Sequence, residues 1–158
     1  MLNALRDLFR KVSANEDNPH FDADDARLSL AALLIHCMAI DGSISDKERQ
    51  TLRSVLTRSF GLDGDDLDTL IAEALRAEQE AVDLYRFTSV LKRQLSVDQR
   101  IRVVENLWEM VFADGESHEF EENLVWRVAE LLSVSREDRI AKRRAVAENR
   151  SLPQGDAG

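Results

Sequence analysis

Apolar residues recur at three- and four-residue spacing through most of the chain, and the breaks between runs carry Gly, Asp, Asn and Ser. That pattern predicts helices joined by short polar turns. Leu2, Leu5, Leu8, Phe9 and Val12, with Arg6, Arg10 and Lys11 interleaved, predict a short basic amphipathic helix over 2–12. Residues 13–25, with Asn15, Asn18, Pro19 and several acidic side chains, read as a linker. Asp22 or Asp24 is placed to cap the next helix. Its residues 28–40 are apolar on nearly every face, as expected of an element surrounded by others. Asp41-Gly42 stops that helix, because glycine adopts the left-handed conformation that closes one. Ser45 stands three residues before Glu48, the spacing of a capping box, and opens a helix over 46–60. Leu52, Val55, Leu56 and Ser59 lie along its inner face, and Gly61 ends it.

The second half continues in the same style. Asp63-Gly64-Asp65-Asp66 introduces a helix carrying Leu67, Leu70, Ile71, Ala74 and Leu75. Val82, Tyr85, Phe87, Val90 and Leu91 predict another, ending near Leu95. Ser96 and Gln99 repeat the capping-box spacing before the bulky run 101–112, which holds Trp108, Met110 and Phe112. A helix over 119–132 turns Leu124, Val125, Val128, Leu131 and Leu132 inward. Ser135 caps a last helix across 140–146 with a solvated Arg- and Lys-rich face. The expected organisation is an arm and linker over 1–24, one all-α domain of seven or eight helices over 25–148, and a disordered tail over 149–158.

One stretch is written twice. Asp41-Gly42 with Asp46 and Glu48 returns 73 positions later as Asp114-Gly115 with Glu119 and Glu121. At the same offset Leu34 falls on Leu107, Cys37 on Met110 and Val55 on Val128, so each unit is a helix, an acidic turn and a second helix, and the domain is expected to be pseudo-symmetric.

Composition narrows the function. The 158 residues hold 21 basic and 30 acidic side chains, a net charge of −9. This opposes attraction to nucleic acid and favours cations or a protein partner with a basic surface. Cys37 is the only cysteine, which leaves no disulfide framework and points to a reducing, cytoplasmic compartment. No run reaches the roughly 20 apolar residues that span a bilayer, and no signal peptide is visible. The basic arm is suited either to peripheral contact with a membrane's inner face or to packing on its own domain.

Aspartate, glycine, then glutamate six residues on is also the second half of an EF-hand loop. The first half is missing, because Cys37, Ala39, Met110 and Phe112 occupy its first ligand positions. A hard cation such as calcium or magnesium, or else zinc, is still a candidate ligand if Asp41, Asp46, Glu48, Asp114, Glu119 and Glu121 converge. Asp114, Glu116, Glu119, Glu121 and Glu122, with Glu109 one turn earlier, make the second copy the denser one. The bland alternative is that the glycines end helices and the acidic residues cap them. His118 within the acidic stretch is a weak zinc or nickel signal, and His36 and Cys37 read as packing residues. With no Ser-His-Asp order, phosphate loop or HExxH, the chain is not expected to be an enzyme.

Ala39-Ile40-Asp41-Gly42 with Glu48, repeated as Phe112-Ala113-Asp114-Gly115 with Glu121, resembles the TerB-like family associated with tellurite resistance, over about residues 25–147. The N-terminal domain of a membrane-tethered DnaJ-like co-chaperone is similar. The resemblance implies an all-helical, pseudo-symmetric domain whose acidic residues hold a divalent cation, acting in bacterial metal or envelope stress beside membrane and calcium-binding partners. It selects Asp41, Gly42, Glu48, Asp114, Gly115 and Glu121. The competing expectation is a protein-interaction adaptor whose acidic turns are only caps.

Overall fold

The first helix is apolar all round because it is enclosed all round. In the computed structural model, which describes residues 21–40, 42, 44–81, 83–113 and 119–151, helix α1 (Ala26–Ala39) buries ten consecutive-face side chains from Leu28 to Met38. Six further helices follow among the described residues: α2 (Asp46–Phe60), α3 (Gly64–Glu80), α4 (Tyr85–Gln94), α5 (Val97–Val111), α6 (Glu119–Leu131) and α7 (Arg136–Ser151). The described residues contain no strand, and no helix among them is long and apolar enough to cross a membrane. The arm over 2–12, together with His20, Asp41, Ser43, Val82, residues 114–118 and the tail beyond Ser151, lies outside the described residues.

Helix α1 packs on α2, α3, α4 and α5, while α5 packs on α1, α2, α6 and α7. One continuous core results, with Leu33, Leu34, Leu56, Leu70, Leu91, Leu107, Trp108 and Leu132 at its centre. Moved forward by 73 positions, the starts of α1, α2 and α3 fall at 99, 119 and 137, against observed starts at Val97, Glu119 and Arg136. The helix starts of the second half thus keep the spacing of the first through three helices, with α4 lying between the two sets.

Local chemistry explains the helix ends. Both capping boxes form: Ser45 Oγ accepts from Glu48 N–H at 3.0 Å while Glu48 Oε1 accepts from Ser45 N–H at 2.9 Å, and Ser96 with Gln99 does the same. Gly61 closes α2 in the left-handed region, at φ 67°. Ser135 Oγ accepts from Asp138 N–H at the start of α7.

Several expectations need correcting. Asp25, rather than Asp22 or Asp24, caps α1: a turn over 22–25 carries the chain in, and Asp25 Oδ1 accepts from Arg27 N–H at 2.8 Å. Ser59, expected along the inner face of α2, is exposed, because it borders an open cavity between α1, α2, α4 and α5 instead of the packed core. Helix α7 runs through Ser151, past the expected boundary at 148. Its basic face is not simply solvated. Arg139 Nε donates to Val134 O, Lys142 pairs with Glu105, and Arg143 pairs with Glu122.

The end of the linker is pinned. Phe21 is buried, its N–H donates to the buried carboxylate of Glu73 on α3 at 2.9 Å, and the Arg27 guanidinium lies 4.8 Å from its ring centre.

Candidate cation-binding turns

Each acidic turn leads into a helix whose third residue is a buried glutamate. Glu48 is 4% exposed and Glu121 is 3% exposed, whereas the first residues of the same helices, Asp46 and Glu119, face solvent. The local cause is helical geometry. The third residue points back over the helix start toward the preceding turn, and a carboxylate there meets the unpaired N–H groups of the first turn. For Glu48 the structure gives that partner as Ser45 N–H.

The turns are entered differently. After α1, Gly42 adopts φ 86° and its N–H donates to Ala39 O at 3.0 Å. After α5, Phe112 N–H donates to Trp108 O and Ala113 N–H to Met110 O, and Ala113 is buried. Asp41 and Asp114, the residues common to the motif and the family resemblance, lie outside the described residues, as does His118.

The described flanks of the two turns are tied near opposite ends of α2. Arg58, in its last turn, pairs with Glu109 at 2.8 Å, so the C-terminal end of α2 is tied to the end of α5. Asp46 lies twelve residues back, roughly 18 Å at about 1.5 Å per residue. The start of α6 stays with the end of α5, because Arg143 binds Glu122 while standing 5.5 Å from the ring centres of both Trp108 and Phe112. Asp46 and Glu48 therefore form one group, and Glu119 and Glu121 another. Among the described residues nothing gathers the two groups around one ion.

This geometry also removes two members of the dense second cluster. Glu109 is neutralised by Arg58 and Glu122 by Arg143, which holds it with two nitrogens at 3.0 and 2.8 Å. Arg143 is the residue that sequence reasoning missed. It occupies the repeat position of the buried Leu70 and covers an aromatic group in which Trp126 meets Trp108 edge-on at 5.4 Å. His36 is engaged across the first half, its Nδ1 lying 3.0 Å from Glu78 Oε1.

The carboxylate donors suit a hard cation better than zinc, which favours nitrogen and sulfur. Among the described residues no three acidic, histidine or cysteine side chains gather to hold an ion.

These features define an all-helical module with a repeated acidic turn and two internally paired helix ends. Residues 27–144 match the family described as "Tellurite resistance protein TerB", and the chain belongs to that family. Comparison with curated proteins and with solved structures gave no significant match.

Proposed function

We propose that this TerB-family chain is a non-enzymatic binding module that holds a divalent cation, calcium or magnesium, at each acidic turn, in a setting of metal or envelope stress. The observation that carries this reading is the pair of glutamates at the same repeat position, Glu48 and Glu121, both almost fully buried beside turns rich in oxygen donors. A carboxylate held in this position by the first-turn N–H groups is also aimed at the preceding turn, where its charge favours a hard cation. Asp41 with Glu48 would hold one ion and Asp114 with Glu121 the other, with Asp46 and Glu119 available at the rims. The separation of the turns' described flanks along α2 supports two ions per chain. The non-enzymatic part of the reading rests on the sequence, which lacks a nucleophile–base order.

A second reading has its own support. Glu48 already completes a capping box, and Phe120, 74% exposed between Glu119 and Glu121, fits docking of a partner with a basic and apolar surface. In that case the turns are caps on an adaptor.

Titration of metal-free protein with calcium, magnesium and zinc, followed by amide NMR, separates the two. The cation reading expects saturable shifts at both turns and a stoichiometry of two. Asp41→Asn/Glu48→Gln should remove one site only, and Asp114→Asn/Glu121→Gln the other. Unchanged spectra at millimolar cation would sink it in favour of the adaptor.

A further inference from the structure

A second candidate site lies away from both acidic turns. Helices α1, α2, α4 and α5 line a half-open cavity of about 120 Å³, walled by Leu30, Phe60, Leu91, Leu95 and Val103. One water needs roughly 10–15 Å³ of such space, so several carbon-sized groups fit.

Two polar side chains of α5 break the apolar lining. Asn106 is 4% exposed, and its carboxamide makes no hydrogen bond to any other residue among those described. The enclosed side-chain atoms without a partner are Ser29 Oγ, Arg100 Nε and Trp108 Nε1, and the Asn106 amide, which is not one of them, lines the cavity and stays open to what enters it. Arg102, one turn earlier on the same face of α5, is exposed and forms no ion pair among the described residues, although the chain carries 30 acidic side chains. The spacing of 102, 103 and 106 places guanidinium, apolar wall and amide on one stripe.

The fold does not require an asparagine here. At the repeat offset of 73, Asn106 corresponds to Leu33, which is fully packed in the core of the first half, and Arg102 corresponds to the small, buried Ser29. The architecture accepts leucine and serine at these places, and the second half substitutes an amide donor and a cation beside an apolar hole.

We propose that this cavity binds a small carboxylate with a short apolar tail, the chemistry of a medium-chain fatty acid. The tail lies among Leu30, Phe60, Leu91 and Val103. The carboxylate accepts from Asn106 Nδ2 and pairs with Arg102. One guanidinium and one neutral amide match a single negative charge, whereas a phosphate dianion calls for more donors. The site is independent of the acidic turns.

The test is amide NMR titration of the full chain with sodium octanoate below its micellar range, with octan-1-ol and octyltrimethylammonium as probes of equal tail. Octanoate should give saturable shifts at the lining residues, including the Asn106 side-chain amide. Arg102→Gln, an exposed change that leaves the fold intact, should weaken octanoate about tenfold while the weaker octanol response stays the same, as expected for loss of one charge-assisted contact. Asn106→Leu should abolish binding and leave Tm unchanged or higher. Absence of saturable shifts, equal affinity for octanol or the cationic probe, undiminished binding in Asn106→Leu, or a lower Tm in that variant would each overturn the proposal.

Discussion

Glu48→Gln separates the geometry of a cap from the charge of a ligand. In the capping box of α2, Glu48 contributes one acceptor, Oε1, to Ser45 N–H at 2.9 Å. At the start of α5 the neutral Gln99 does the same for Ser96 N–H at 2.8 Å, so the fold already shows that an amide oxygen suffices. The substitution keeps that bond and weakens the interaction of a negative charge with the helix N-terminus, worth about 0.3–1 kcal/mol. Relief of burying a charge at a 4% exposed position works in the opposite direction. Metal-free Glu48→Gln should therefore stay within about 1 kcal/mol of the parent, a Tm change of no more than about 4 °C for a chain of this size. Ser45→Ala, which removes the hydroxyl accepting from Glu48 N–H, should cost about 1 kcal/mol with a range of roughly 0.5–2. Thermal melts and urea titrations in chelator read both. A loss above about 3 kcal/mol for Glu48→Gln, the size expected when a buried charge pair is broken, would refute the assignment of the carboxylate as a cap in the metal-free state.

Other outcomes follow from single features. Ser29 is buried in α1 with a hydroxyl that has no hydrogen-bond partner, so Ser29→Ala should raise stability by about 1–3 kcal/mol through removal of an unpaired group and a better helix former; a fall in the urea midpoint would contradict this. Ser133 closes α6 at φ 59°, where L side chains are disfavoured, and Ser133→Gly should stabilise by about 0.5–1 kcal/mol in the same assay. Hydrogen bonds from the Arg27 side chain hold the Asp25 carboxyl below its usual range, despite partial burial that acts the other way. A depressed folded-state value means that this stabilisation is present above the unfolded carboxylate pKa of about 3.9 and is lost as pH falls through the folded one. Asp25→Asn, which can still cap, should therefore fall short of the parent at pH 6 and converge with it as pH falls below the folded value; a gap independent of pH would refute the pairing.

What the sequence made legible was whatever is decided within a few residues. Both capping boxes, the left-handed Gly61 and the enclosed first helix depend on local spacing, and the structure contains them. Ser59 is exposed where periodicity points it inward, because periodicity reports which face could be buried, while burial depends on whether a neighbouring helix fills the space. The matching start of a third helix was hidden because Leu70 and Ile71 have Arg143 and Arg144 as counterparts. Arg143 nevertheless keeps the packing role by stacking on Trp108 and Phe112 and neutralising Glu122, a partnership that only tertiary structure brings together. The acidic turns were legible as a motif. Their separation was not, since it depends on the Arg58–Glu109 contact between residues 51 positions apart.

The enclosure of α1 also limits how the chain can be taken apart. Although α1 belongs to the first repeat, α4 and α5 cover it as closely as its own partners α2 and α3 do. Cutting the molecule at the connection before α4 would leave the first fragment with a bare leucine-rich rod, and exchanging one repeat for that of a relative would present the rod with an ill-fitting cover. The two halves thus form a single unit for engineering: a graft or truncation must carry α1, α4 and α5 together, and freedom to exchange sequence lies on the outer faces of α2, α6 and α7.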